Sequence, residues 1–304
     1  MGDSAPPRTQ YEALGDCVAE RLDHAIRMPA ELHTAATRPS LLAGVLLSTG
    51  VVVYSAANSF PDHHTPGFHF ANEGWFGEDT YVGGADKASH FLKYGIMARG
   101  LTIWYEYFGF PQPLSVVAGL AVSSFAGLVN EIGDGTNRYG FSYEDLVMDI
   151  LGAGAVSLIT LSGTDDLFGF RVGFVPGPSP PKDPNSDEFG KNYSHEFYTA
   201  DLLLTGVIRR AGAALWPLRF LLLSCTYGTR GYPYSAPDVR QRLVGFEMGL
   251  NLGEILYALN VQQNTWWEIS AHLIFDNFRF PYTQMGFRYD LNHGKWYVVN
   301  ANGL

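Results

Sequence analysis

The series of four helix-length apolar segments between residues 41 and 162 limits the fold more than any other feature of the sequence. The first, LLAGVLLSTGVVVYSAA at 41–57, contains no Asp, Glu, Lys or Arg. Its length is at the lower limit, about 17 residues, for a helix that spans a bilayer. Three interpretations stay open: a spanning helix, the apolar core of a signal-type segment, and a buried core helix. Because Arg27 and Arg38 precede it, the first two place residue 58 onward across the inner membrane.

Breaker and capping residues delimit the other three segments. These are predicted helices at 87–108, 114–132 and 143–161. The first ends before Pro111 and Pro113, which prevent a helix from continuing. The second is rich in Gly, Ala and Ser, which allow close helix packing. The third begins after Ser142, a predicted N-cap, with Asp145 as its capping-box partner. The pattern predicts a helical bundle.

The composition favours a membrane or envelope setting. Charged residues make up 16% of the chain, against about 25% in ordinary soluble domains. Lys93, Arg99 and Glu106 are costly for a lipid-exposed helix at 87–108, so the bundle is either embedded in a membrane or attached to one. The net charge of −10 and the scattered basic residues exclude nucleic acid as a partner. Two distant cysteines indicate neither a disulfide framework nor structural zinc.

The connectivity of the helices predicts one polar cluster at one end of the bundle. Short links make consecutive helices antiparallel, so three helix ends meet there. Asp86 and His90 are four residues apart and share a helix face, as do Asp145 and Asp149. The predicted cluster consists of Asp86, Lys87, His90, Asn130, Glu131, Asp134, Arg138, Ser142, Asp145 and Asp149.

Most of these residues also have an ordinary structural explanation. Asp86 can simply complement the positive N-terminus of its helix. Asp145 fits a capping box better than a ligand position. Glu131 and Asp134 can be solvated loop carboxylates. Asp149 is the most informative acid, because a carboxylate in an apolar helix needs a partner.

Two functional classes remain for the cluster. In the first, an envelope protein without catalytic activity uses it to hold three helices together. In the second, a membrane-interface hydrolase or transferase uses His90 as general base beside Asp86 on a phosphate-bearing lipid. Glu131, Asp134 and Asp149 would then hold a divalent cation or orient the lipid phosphate. The sequence contains no activated-nucleophile motif and no established metal-ligand spacing, which favours the first class.

The segments DKASHF, NEIGDG and YGFSYEDLVMDILGAGA, in this order, resemble the YfiM-like family of bacterial envelope lipoproteins, a domain of unknown function. They are more distantly similar to VanZ-like membrane proteins. The resemblance covers about residues 70 to 162 and implies an envelope location and a helical core, without an established activity. The chain departs from the short lipoprotein members, because LGDC at Cys17 follows no apolar segment. The matching positions are Asp86, Lys87, His90, Glu131, Ser142, Asp145, Asp149 and Gly152.

The pattern changes in the last part of the chain. Residues 163–196 contain five prolines and predict a linker or an ordered surface loop. Beyond them, alternating apolar residues and glycine-containing turns, with a hairpin at LNHGKWY, predict a β-rich module. Residues 197–212 and 266–280 fit a helix or a strand equally well. The aromatic residues of this module suit either a membrane interface or an aromatic core. His63, His64 and His69 form a metal-binding or simply polar loop.

These observations predict an α+β fold, in which a membrane-associated bundle of about four helices precedes a smaller β-rich C-terminal module. The expected partners are membrane lipid or another envelope protein. The expected location is the bacterial cell envelope, at the inner membrane or its periplasmic face, with the outer membrane still open. The predicted division is a polar arm at 1–40, the helical domain at 41–162, the linker at 163–196 and the C-terminal module at 197–304.

Overall fold

A bundle of four helices packs against a rolled β-sheet in the computed structural model, which describes residues 39–60, 67–183, 191–211 and 213–299. The α+β prediction is confirmed. Cys17, His63 and His64 lie outside the described residues. His69 is half-buried in a loop, with ring Nδ1 3.3 Å from the Gly67 carbonyl oxygen.

The helices of the bundle begin and end within three residues of the predicted bounds. They are α1 (Leu41–Ser59), α2 (Ala85–Tyr107), α3 (Gln112–Gly135) and α4 (Tyr143–Ser162). Pro111 precedes α3, and Gly163 ends α4 in the left-handed conformation that glycine adopts without strain. Helix α2 lies at the centre, packed between α3, α4 and the sheet, while α1 packs mainly against α3.

Three of these helices, α1, α3 and α4, are long and apolar enough to cross a membrane, judged by length and composition. Each exposes large apolar side chains, among them Leu46, Val117 and Leu158. The described part of the chain therefore carries an apolar outer surface around a central helix that is richer in charge. The interpretation of 41–57 as a buried core helix is wrong, since most of α1 is exposed.

Seven strands form the main sheet among the described residues. They are β3 (Phe168–Phe174), β4 (Glu196–Leu203), β5 (Leu221–Arg230), β6 (Gln241–Leu250), β7 (Phe278–Arg279), β8 (Gln284–Asp290) and β9 (Lys295–Val299). Their order across the sheet is β7-β3-β4-β5-β6-β8-β9. Neighbouring strands are antiparallel except β3 and β7, which are parallel. Helices α5 (Leu204–Ala211), α6 (Leu252–Ala258) and α7 (Trp266–Asn277) connect them. A separate two-stranded pair joins β1 (Phe70–Ala71) to β2 (Phe141–Ser142).

The structure corrects one prediction about the C-terminal part and resolves two ambiguous segments. The predicted linker at 163–196 contains β3, which pairs along its whole length with β4. Of the two segments that the sequence left open, the described residues 197–211 are strand and then helix, and residues 266–279 are helix and then strand. The predicted hairpin is confirmed between β8 and β9, with Gly294 at a φ of +66° in its turn.

A buried aromatic cluster joins the bundle to the sheet. Ala85 and Leu92 of α2 pack with Tyr193 and Tyr198. The contact continues along α2, where the rings of Phe91 and Phe170 meet edge to face with centroids 5.0 Å apart. The start of α2 is thereby held in place against the sheet as well as against the other helices of the bundle.

Candidate functional site

A glycine turn sets the position of the first cluster residues. Gly83 and Gly84 have φ values of +65° and +87°, immediately before α2 begins. A Cβ on Gly84 would lie 2.8 Å from the Cα of Phe76, so only glycine fits there. The Gly83 carbonyl accepts a hydrogen bond from the Tyr227 hydroxyl of the sheet. The turn therefore fixes the helix start, from which Asp86, Lys87 and His90 project.

The Lys87 ammonium group is the first centre of the cluster. Lys87 is buried and forms an ion pair with Glu73. Its Nζ also lies 2.8 Å from Asp145 Oδ1 and 3.5 Å from Asp86 Oδ2. One positive charge is thus shared by three carboxylates from the loop before α2, from α2 itself and from α4.

The His90 imidazole is the second centre. Its Nδ1 lies 2.8 Å from Asp149 Oδ1 and 3.7 Å from Glu131 Oε1, while its Nε2 lies 3.9 Å from Asp86 Oδ1. The His90 side chain is 13% exposed, and that of Asp149 is fully buried. The predicted meeting of the three helix ends is therefore confirmed by geometry, and the partner that Asp149 requires is His90.

The end of α3 completes the cluster through amide groups. Asn130 Nδ2 donates to Asp134 Oδ2 at 2.7 Å, and Lys93 Nζ donates to Asn130 Oδ1 at 3.2 Å. Asn137 donates to both Asp134 and the Ser59 carbonyl at 2.8 Å, which ties the last turn of α1 to the loop after α3. These contacts join three helices, α1, α2 and α3.

The start of α4 differs from a capping box. The Ser142 hydroxyl does accept from the Asp145 N–H at 3.2 Å, as predicted. The Asp145 carboxylate, however, faces Lys87, and the Ser142 N–H donates to Glu131 Oε2 at 3.2 Å. The capping-box explanation of Asp145 is wrong, because the buried ammonium group attracts its carboxylate more strongly than a backbone N–H does.

Among the predicted members, Arg138 is the one that lies exposed, on the loop between α3 and β2. Glu131 and Asp149 are almost completely buried, so the solvated-loop explanation is wrong for Glu131. Asp134 is half-buried and bonded to two asparagines. The functional roles of these residues stay predictions.

Three members were missed at the sequence level: Glu73, Glu144 and Tyr193. Glu144 is fully buried and accepts from the Gly74 N–H at 3.2 Å and from the Ser142 hydroxyl at 3.3 Å. Tyr193 donates a hydrogen bond to Asp86 Oδ1 from the segment before β4. The signal for Glu144 was its place in the first turn of α4, where an acid suits the helix N-terminus.

The cluster contains more acid than base. Its cations are Lys87, Lys93 and, when protonated, His90. Its carboxylates are those of Glu73, Asp86, Glu131, Asp134, Glu144, Asp145 and Asp149. Burial raises the pKa of Glu73 to about 8, and the charge of Asp145 adds to this shift. To neutralise the excess negative charge, some of these carboxylates must keep a proton or a cation must bind to them.

Two sets of side chains in the cluster have the composition of a metal site. They are Asp86, His90 and Asp145, and His90, Glu131 and Asp149, with candidate ligand atoms within 4.8 Å of one another in each set. Both sets use His90, so a single ion could use only one of them. Imidazole and carboxylate ligands of this kind suit zinc and other divalent cations. In the structure the same atoms already pair with Lys87 and with His90 itself.

The helical part of the chain is similar to a family described as predicted periplasmic lipoprotein (DUF2279), whose model matches residues 72–161. The match includes the glycine turn, the starts of α2 and α4 and nearly all of the polar cluster, but less than a third of the chain. No curated protein and no solved structure matches the chain. The match supports a location in the bacterial envelope. The resemblance to YfiM-like and VanZ-like proteins stays a prediction.

Proposed function

We propose that this protein is an envelope membrane protein without catalytic activity, in which the polar cluster locks the helical bundle to the sheet and the apolar surface binds membrane lipid. The partners would be lipid and, through the exposed loops, another envelope protein. The cluster would be the internal anchor of this arrangement and not the place where a substrate is bound.

The observation that carries the proposal is the burial of the charged atoms. Lys87, Glu131, Asp145 and Asp149 are almost inaccessible, and the His90 side chain is 13% exposed, so a lipid phosphate would reach little of its ring. Their partners come from α2, α3, α4 and the segment before β4, so each contact joins two elements. Buried groups paired in this way specify one packing arrangement.

The experiment compares Asp149→Asn and His90→Ala with the parent protein in detergent. Each change leaves a buried partner without its hydrogen bond, which costs about 1–3 kcal/mol. We therefore expect a lower melting temperature and a lower steady-state abundance in cells for both variants. Asp79→Asn is the matched control, because Asp79 is exposed in the turn that precedes α2.

Complementation of a deletion strain separates the structural role from a catalytic one. For a structural cluster, the residual function of each variant follows its abundance. If the cluster is catalytic, the variants should be as stable and abundant as the parent but fail to complement, because removal of one acid relieves repulsion among the others. A variant that is as stable and abundant as the parent but fails to complement would overturn the proposal.

The second candidate is a membrane-interface hydrolase or transferase that acts on a phosphate-bearing lipid with a divalent cation. The observation that favours it is the convergence of His90 with Glu131 and Asp149, together with Asp149 Oδ2, which is buried without a hydrogen-bond partner among the described residues. If the polar cluster only holds the helical bundle and the sheet together, a chelator should leave the melting temperature unchanged. A decrease with chelator that is reversed by zinc, manganese or magnesium would favour the second candidate.

A further inference from the structure

In the middle of the rolled sheet, the strands direct mainly polar side chains inward and apolar side chains outward. On β5 and β6, Ser224, Thr226 and Glu247 are buried together with the apolar Leu222 and Leu243, whereas Leu223 and Phe246 are 44% and 70% exposed. An antiparallel sheet that faces water on one side normally shows the opposite pattern, with apolar residues inward. The polarity of the two faces in this region is therefore the reverse of that in a sheet that faces water.

The distance between two distant strands shows which face is enclosed. Strands β4 and β8 are separated by β5 and β6, so in a flat sheet they would lie about 14 Å apart at the usual strand spacing. Yet the Arg288 guanidinium of β8 lies 4.3 Å from the centre of the Phe197 ring of β4. The sheet is thus rolled around the face that carries Arg288 and Glu247.

The charges on this inner face are paired with one another. Arg288 Nε lies 2.6 Å from Glu247 Oε1, and Arg171 Nη1 lies 2.5 Å from Asp201 Oδ2. Arg279, on the edge strand β7, donates to the Ser224 hydroxyl of β5 at 3.0 Å. The packing beside β6 is tight, since a Cβ on Gly249 would lie 2.7 Å from the Arg279 guanidinium.

The opposite surface, here called the outer apolar face, is defined by six side chains that are 41–70% exposed. They are Leu223, Phe246, Met248, Met285, Phe287 and Val298. Together they line one side of an open groove of about 1020 Å³, and Ile159 of α4 lies at its edge. A contiguous exposed apolar surface of this kind marks a site of protein or membrane interaction.

We infer that the acyl chains of the membrane bilayer cover the outer apolar face, so that the sheet is embedded beside α1, α3 and α4. The inference rests on the proposed membrane role of the helices and extends it to the C-terminal module. The face continues through Ile159 to Leu158 on the exposed side of α4, a helix apolar enough to span a membrane. Transmembrane β-structure likewise carries apolar residues on its lipid-facing surface and polar residues in its interior.

Bilayer contact explains the outer apolar face better than a second copy of the chain does. Protein interfaces combine an apolar centre with a polar rim and roughly ten hydrogen bonds. The six residues of the face carry no hydrogen-bonding side-chain group, and neither do the exposed residues Leu158 and Val117 of the neighbouring helices. Apart from the weakly polar thiol of Cys225, the exposed side chains named on this surface are apolar over several elements, which matches hydrocarbon, since hydrocarbon offers no hydrogen-bond partner.

Cys225 provides the experiment, because it is exposed on β5 between Leu223 and Tyr227. A Cys17→Ser variant leaves Cys225 as the single cysteine for a fluorescent label. The full chain is reconstituted in phosphatidylcholine vesicles with and without lipids that carry a spin label on the acyl chain. We expect the label at Cys225 to lose fluorescence to the same extent as a label at Leu158→Cys in a cysteine-free background. Glu78→Cys, in an exposed turn, should be quenched by aqueous iodide and not by the spin-labelled lipid.

The label at Leu158→Cys on α4 distinguishes failure of this inference from failure of the proposed function. Quenching at Leu158→Cys without quenching at Cys225 overturns the inference and leaves the membrane role of the helices intact. Quenching at neither position overturns both. Crosslinking of Cys225 to Cys225 by a bifunctional maleimide, without quenching by lipid, assigns the face to a second copy of the chain and overturns the inference.

Discussion

The helical bundle and the rolled sheet both enclose charged residues and expose apolar ones, but they differ in how the enclosed charge is balanced. Inside the sheet, Arg171, Arg279 and Arg288 meet Asp201 and Glu247, and every one of these groups has an opposite charge within 4.0 Å. In the polar cluster at one end of the bundle, seven carboxylates share two lysines and one histidine. The sheet interior is nearly neutral, whereas the polar cluster of the bundle is strongly acidic.

This difference separates fixed stability from stability that depends on pH. Arginine stays protonated at every pH at which a protein folds, so its ion pairs in the sheet persist wherever the partner carboxylates are ionised. The acids of the bundle compete for few cations, and some must keep a proton. We therefore expect changes in the sheet interior to have large effects, and changes in the bundle to have smaller effects that depend on the protons its acids retain.

The largest effect is expected for Arg288→Met, which leaves the buried Glu247 carboxylate without its nearest cation. Removal of one partner of a buried ion pair costs about 3–5 kcal/mol, because the other charge stays desolvated. The free energy of unfolding in detergent should fall by this amount at pH 8, where the carboxylate has no proton to neutralise it. The double variant Glu247→Met with Arg288→Met should regain most of the loss, and a single variant as stable as the parent would contradict the ion-pair account.

A smaller effect is expected where α4 packs against α2. A Cβ on Gly152 would lie 1.8 Å from the Phe91 carbonyl oxygen, whereas a Cβ on Gly154 would meet nothing within 4 Å. Gly152→Ala should lower stability by about 1–3 kcal/mol through overpacking. Gly154→Ala in the same helix should raise it by about 0.5–1 kcal/mol, because alanine favours helix. Equal melting temperatures for the two variants would show that the close helix contact is absent.

The smallest effect concerns pH and Glu73. The pKa of Glu73 is raised from 4.5 to about 8, so the folded state holds its proton more tightly than the unfolded state does. Its contribution to stability is complete below pH 4.5 and is lost as the pH rises toward 8. A shift of this size on an isolated group would correspond to about 5 kcal/mol. Lys87, Asp86 and Asp145 readjust their charges as Glu73 ionises, so we expect the parent to lose about 1–2 kcal/mol across this range. Glu73→Gln, which stays neutral, should lose less, and Glu78→Gln is the exposed control. A variant with the slope of the parent would contradict this assignment.

Much of the candidate site could be predicted because its residues lie on helices of fixed periodicity. The four-residue spacings of Asp86 with His90 and of Asp145 with Asp149 indicated shared faces, and the short links indicated which helix ends meet. Glu73 could not be found in this way, since it lies in a turn-rich segment without periodicity. Tyr193 could not be predicted as a member of the cluster, because it lies 107 residues further along the chain than Asp86, which it contacts.

The fold class was predictable, but the orientation of the sheet was not. Alternation in β5 and β6 defines two faces and does not say which face is enclosed. In water Phe246 and Met248 would point inward and Glu247 outward, which is the opposite of what the structure has. Strand β3 was missed because the prolines that follow it dominated the interpretation, although Phe168, Phe170 and Val172 alternate with glycine and arginine as a strand requires.

The hydrogen bond from Tyr193 to Asp86 has a consequence for the order in which the protein assembles. A chain synthesised from its N-terminus completes all four bundle helices before Tyr193 exists. During that interval the Asp86 carboxylate lacks one of its partners and the aromatic cluster on α2 is uncovered. The polar cluster of the bundle thus becomes complete only when the segment before β4 docks on it, so a chain interrupted before residue 193 leaves the apolar helices with an open acidic end.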